Sequence, residues 1–203
     1  MKKHIILLLL LSIPTLTKAQ EANPDKKEPK VLVEIRPIQY VLNGYSLVGH
    51  YKTGKRSQFG INVFAATLSD GITDFAWNTS QDLDMEAKQD LVLALSYRYF
   101  LQKDKRHKGF FFGLSLGWEN YTLTERSRNE QQSYEFWYLA PRLGYQWQPF
   151  QKKETSISNF FLAIEAVGVI PIIKDDKATF SNGGLAEINN FLPSPLIGIG
   201  FQF

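Results

Sequence analysis

The sequence predicts an all-β chain, eight antiparallel strands closed up-and-down into a transmembrane β-barrel. Three observations predict it. Apolar residues recur with period 2 from Val31 to Phe203. The large apolar side chains share one face, while Gly, Ser, Arg, Glu and Gln share the other. After Ile13 no apolar run approaches the roughly 20 residues that a membrane-spanning helix needs.

The first element is a targeting segment. Lys2 and Lys3 form a basic start, Ile5 to Ile13 is an apolar run ended by Pro14, and Thr17-Lys18-Ala19 sets small residues for a cut before Gln20. Residues 1–19 are therefore expected to leave as a signal peptide, and the mature chain to be exported. Residues 20–30, with Pro24 and Pro29 among Lys and Glu, read as a short polar leader. Residues 31–203 form the barrel.

Strands are expected at 31–42, 45–52, 57–68, 88–101, 109–122, 134–148, 159–171 and 191–203. The last shows the pattern best: Phe191, Pro193, Pro195, Ile197, Ile199, Phe201 and Phe203 face one way, Leu192, Ser194, Leu196, Gly198, Gly200 and Gln202 the other. A soluble barrel would hide the greasy face and expose the polar one. Here the small and polar face would make a poor apolar core, so the greasy face is assigned to lipid and the polar face to a closed lumen. Connections 53–56, 102–108 and 149–158 lie at one end; 69–87, 123–133 and 172–190, mostly longer, lie at the other. Asn43-Gly44 is expected to turn the first hairpin in two residues. In lipid, open sheet edges are untenable, so the first and last strands should pair.

The signal, the eight alternating strands and the ending Ile199-Gly200-Phe201-Gln202-Phe203 resemble the small outer-membrane β-barrels of Gram-negative envelopes, of which the OmpA transmembrane domain and OmpX are members. The resemblance is architectural and covers 31–203. It implies location in the cell outer membrane, contact with its lipid and lipopolysaccharide, and recognition of Phe201 and Phe203 by the barrel-assembly machinery. It also implies an extracellular loop partner of unknown kind.

Eight strands leave a lumen that side chains fill. By register the inward charges are Glu34, Arg36, Arg98, Glu119, Arg142 and Glu165, beside Gln58, Asn62, Gln146 and Gln202. Three acids against three bases should pair or be hydrated, because an unpartnered buried charge costs several kcal/mol. Tyr97, Tyr99, Trp118, Trp137, Tyr145 and Trp147 fall near strand ends, where interfacial aromatic girdles belong.

Other chemistries find little support. Lys2, Lys3 and Lys18 supply the whole formal charge of +3, so the mature chain has no basic surplus for nucleic acid. Without cysteine there is no disulfide frame and no thiolate zinc site, and no cofactor is expected. Barrel lipid A deacylases and palmitoyltransferases use a His with a Ser. Here His107 reads as part of a solvated basic turn with Lys103, Lys105, Arg106 and Lys108, and His50 lacks the His-x-Ser spacing. No catalytic role is expected. Gly113, Gly117, Gly198 and Gly200 read as lumen packing, and the acidic run Asp82, Asp84, Glu86 as a solvated loop rather than a cation site. The leading expectation is a structural or interaction protein acting through its outer loops. The alternatives are a narrow conduit or transporter of a small hydrophobic ligand, a lipid-modifying barrel, and a secreted lipocalin-like binder with its faces reversed.

Overall fold

A computed structural model describes residues 30–79, 83–102, 107–150 and 155–203. Eleven strands are present among them: β1 (Val31–Ile35), β2 (Tyr45–Lys52), β3 (Ser57–Thr67), β4 (Trp77–Thr79), β5 (Met85–Phe100), β6 (Gly109–Glu125), β7 (Glu130–Trp147), β8 (Phe160–Lys174), β9 (Ala178–Thr179), β10 (Leu185–Ile188) and β11 (Leu192–Gln202). Two helices join them, α1 (Pro37–Val41) and α2 (Asp70–Ala76), with a 3-10 turn at Ser156–Asn159.

Eight strands close into one antiparallel ring in the order β1-β11-β8-β7-β6-β5-β3-β2. Closure is made by Val33 opposite Phe201 and Ile35 opposite Ile199, with Phe203 N donating to Val31 O at 2.7 Å. The expected eight-stranded barrel is thus the fold. The expected signal segment and most of the leader, residues 1–29, lie outside the described residues.

Alternation dictates which way each strand points. On β7, Trp137, Leu139, Leu143, Tyr145 and Trp147 are exposed, while Tyr138, Ala140, Arg142 and Gln146 are buried. From Trp137 to Trp147 a strand tilted by about 40° climbs about 25 Å, the height of an outer-membrane apolar band.

Three expected boundaries are corrected. The strand expected at 31–42 stops at Ile35. Pro37 follows at the first turn of α1, where a missing N–H costs nothing, so the chain leaves the ladder there. The first connection is accordingly a helical turn rather than a two-residue Asn-Gly hairpin. The expected loop 123–133 shrinks to four residues, because β6 continues to Glu125 and β7 starts at Glu130. The expected loops 69–87 and 172–190 are largely ordered. They contribute α2, the first residues of β5, the last of β8, and the strands of a second sheet, β4-β10-β9, at the barrel end away from the termini.

The beginnings of β5 and β7 and the end of β6 rise beyond the Trp118–Trp137 pair, and there the faces exchange roles. Asn120, Thr122, Ser133 and Glu135 point outward, whereas Tyr121, Leu123, Tyr134 and Phe136 point inward. They pack with Trp77, Met85, Phe180 and Ile188 of the cap into an apolar core.

Candidate functional site: the lumen and its cap

The lumen is layered. Near the termini Leu32, Phe100, Phe111, Phe161 and His107 close the barrel; His107 stacks edge-on against Phe100 at 5.3 Å. His107 is therefore a buried closure residue, contrary to the solvated-turn expectation. Its left-handed backbone, φ 53°, turns the ring inward, and its carbonyl accepts a hydrogen bond from Gln146 Nε2 at 2.8 Å. Lys103, Lys105 and Arg106 lie outside the described residues.

Above that floor sits the charged layer. Arg98, fully enclosed, donates from Nη1 and Nη2 to Glu34 Oε2, both at 3.1 Å, and pairs with Glu165. Its guanidinium also covers the Phe111 ring at 5.0 Å. Arg142 Nη1 lies 3.4 Å from Glu165 Oε2, and Arg36 Nε 3.6 Å from Glu34 Oε1. Arg36 Nη2 donates to Asn62 Oδ1 at 3.4 Å. Lys52 Nζ donates to Gln202 Oε1 at 2.7 Å. Gln58 and Gln146 are buried in the same lumen. Glycine makes room: a Cβ on Gly198 would stand 2.4 Å from Glu34 Oε1, and one on Gly117 2.4 Å from the Tyr138 ring.

Two placements differ from the six-charge set read from the sequence. Glu119 stands apart from the arginines, higher in the lumen, and accepts from Gln89 Nε2 at 2.8 Å and Tyr121 OH at 2.7 Å. The reason is barrel stagger: parity predicts that a side chain points inward but not its height. His50, outside that set, belongs to the layer; its Nε2 is 3.4 Å from Glu34 Oε2. Ser96, on the next strand but one, is brought to the same place, since a Cβ on Gly60 would lie 2.4 Å from His50 Nδ1 and 2.6 Å from Ser96 Oγ. Only the pairing register could have revealed this, because the three residues belong to three strands.

The aromatic positions fall into two belts. Tyr97, Tyr99, Tyr145 and Trp147 lie toward the termini, where Phe112 neighbours Tyr99 and Phe110 neighbours Tyr145. Trp118 and Trp137 face each other across β6 and β7 at the other boundary, and Trp118 Nε1 donates to Glu135 Oε2 at 3.2 Å. Phe201 near the end of β11 and Phe203 just past it are half-buried, alternating with inward Gln202.

In the cap, Arg126 gathers the acids: Asp84 at 2.9 Å, Glu86 at 3.7 Å, and Asp70. The hydrogen bonds it donates to Asp70, first, and to Asp84 raise its already high pKa. Arg126 thus offsets part of the loop's acidic charge; Asp82 lies outside the described residues, and no metal-holding group of side chains occurs among the described ones. Glu187 is held below the usual carboxylate range by hydrogen bonds from Lys174 and Lys177, and Glu130 by the Ser181 hydroxyl and amide. A cleft of about 460 Å³ opens beside α2, lined by Thr73, Asp74, Trp77, Thr79, Leu83, Asp84 and Met85.

Fold and site define a class: a closed eight-stranded barrel, apolar outside and charged within, lidded at one end by its own small sheet. In architecture this is the small-barrel form that the sequence resembles. Among solved structures, the chain is similar to Ail, the attachment invasion locus protein of Yersinia pestis, at 9% identity and a TM-score of 0.42, over 87% of this chain and 100% of that one. A second Ail structure, in complex with the heparin analogue sucrose octasulfate, matches at 10% and 0.37 over 86% and 94%. Acinetobacter baumannii CarO2 matches at 11% and 0.37 over 86% and 98%. No family model and no curated protein matches the chain. The fold assignment rests on the closed hydrogen-bond ring.

Proposed function

We propose that the chain is an outer-membrane barrel whose ion-paired lumen keeps it closed and rigid, and that it works as an interaction protein through its cap. The observation that carries this is the exchange of faces along β6 and β7. Below Trp118 and Trp137 the outside is apolar and the inside holds the charged layer between apolar ones; above them the polarity is that of a water-soluble protein. Only a chain that passes from hydrocarbon into water needs that switch. Exported chains of this form insert with both termini in the periplasm, which sets the cap at the cell exterior.

A cap that packs its own core presents fixed surfaces rather than loose loops, which lowers the ordering cost of binding a partner. Lipopolysaccharide and outer-leaflet lipid would surround the Trp118–Trp137 boundary, and Phe201 and Phe203 would serve the assembly machinery. A conduit is the second reading, favoured by buried polar atoms at His50, Gln58, Ser96 and Arg142 that have no hydrogen-bond partner. Planar-bilayer conductance of the refolded mature chain decides between them, with a Glu165→Gln/Arg142→Ala variant alongside. Stable insertion without current supports the interaction reading. Discrete openings altered by the double change would replace it with the conduit.

A further inference from the structure

The barrel wall is incomplete above β1. That strand has five residues, against eleven in its neighbour β11, so the upper parts of β2 and β11 have no strand between them. Helix α1 fills the space, with Ile38 and Val41 facing outward, the latter 75% exposed.

Each edge of this seam is prepared for lipid. On β11, Phe203, Phe201 and Ile199 turn their backbone groups toward β1, and the same parity turns Ile197, Pro195 and Pro193 toward the seam. Proline has no N–H, so two of the three donors that would point into the seam above the end of β1 are deleted, leaving that of Ile197. An unsatisfied donor there would have no water to bind. On β2, Lys52 N donating to Lys30 O fixes the parity that turns Ser46 toward the seam, and its carbonyl accepts from Tyr40 OH of α1 at 2.9 Å. Leu42 N donates to Ile38 O and Gly44 N to Gln39 O, so the helix meets its own needs. Gly44 lets the chain turn hard against β3, since a Cβ would come 1.8 Å from Ala65 O.

The helix packs against β2, β3 and β11, but its backbone hydrogen bond to the wall is made on one side. Thr67 N donates to Leu42 O at 2.9 Å, tying α1 to β3, while among the described residues no backbone hydrogen bond joins α1 to β11. Behind the helix, Gln39 Oε1 and Ser46 Oγ are buried without hydrogen-bond partners, and Leu196 leads into the apolar layer of the lumen. Counting eight residues up from Phe203 at about 40° of tilt places Pro195 about 20 Å above the terminal end, at outer-leaflet depth.

We propose that the β2–β11 seam is a lateral portal through which the acyl chain of a membrane lipid enters the upper lumen, with α1 as a plug hinged on β3. Gln39 Oε1 and Ser46 Oγ would meet the polar end of the entering molecule. This rests on the outer-membrane reading above.

The test uses the mature chain in phosphatidylcholine vesicles containing palmitic acid with a diazirine near its terminal carbon, photolysed and mapped by mass spectrometry. Outward Leu95 and Leu143 report residence in the bilayer. Inward Leu196 should be labelled about tenfold above inward Ala163, which lies behind the unbroken wall. Tyr40→Phe should raise Leu196 labelling several-fold, and bridging Val41→Cys to Pro193→Cys with a bis-maleimide should abolish it. No labelling of Leu95 and Leu143 would refute the membrane reading and the portal together. Labelling of these two with Leu196 no higher than Ala163, or Leu196 labelling that survives the bridge, would refute the portal alone.

Discussion

Removing the Arg98 guanidinium tests whether the lumen charges hold the barrel together. Arg98 is fully enclosed and is the hub: it serves Glu34 with two hydrogen bonds at 3.1 Å and pairs with Glu165. In Arg98→Met the stem volume stays similar while Glu34 keeps Arg36 at 3.6 Å and Glu165 keeps Arg142 at 3.4 Å. Neither remaining contact matches the geometry lost. Breaking one buried pair costs about 3–5 kcal/mol, and here two carboxylates lose a partner, so a loss near the top of that range is expected. Glu165→Gln in the same chain should restore about half, because one of the two stranded charges is then gone. The assay is urea unfolding in lipid vesicles, followed by tryptophan fluorescence and by mobility of unboiled samples. A loss below about 1 kcal/mol for Arg98→Met would refute the reasoning, since it would mean that water already screens the lumen pairs.

Three further outcomes are expected. Leu143→Arg, at an outward site 57% exposed, should cost about 2–4 kcal/mol in vesicles, whereas Ser133→Arg above the belt should cost under about 1. Equal effects would deny that the outer face meets hydrocarbon. The carboxyls of Glu187 and Glu130 are lowered in the fold, so their support is present above the ordinary Glu pKa of about 4.3 and is lost as pH falls through the lowered values. Amide protection in β9 and β10, corrected for intrinsic exchange, should accordingly drop below about pH 4 before that of β7 does. Phe203→Ala should reduce the folded protein recovered from outer membranes while leaving the stability of the refolded barrel within about 1 kcal/mol; an equal fall in both would make Phe203 a packing residue only.

How far the fold was legible follows from what period 2 encodes. Strand direction and face came through, so β2 was placed residue for residue and every inward charge named beforehand is buried. Height along the barrel did not come through. Parity groups Glu119 with arginines that it does not meet and leaves His50 and Ser96 unconnected, because shear is set by pairing register. The cap reads as loops in the sequence for a related reason. Tyr121, Leu123, Tyr134 and Phe136 alternate as the strands below them do, but with the apolar face inward, and a rule tuned to lipid reads that reversal as the end of the barrel. Pro37 was the signal that could have ended the first strand; Asn43-Gly44 outweighed it, although Asn43 with φ 53° closes a helical turn instead.

The central claim is that β7 carries a lipid-facing side between Trp137 and Trp147 and water on that side above it. The chain has no cysteine, so single cysteines can be placed at every position from Gln131 to Trp147 and given a fluorophore in vesicles containing brominated lipid. Quenching is expected at 137, 139, 141, 143, 145 and 147, deepest near 143, with little at the even positions and none at 131, 133 and 135. Quenching without that alternation, or extending unchanged to 131, would contradict the claim.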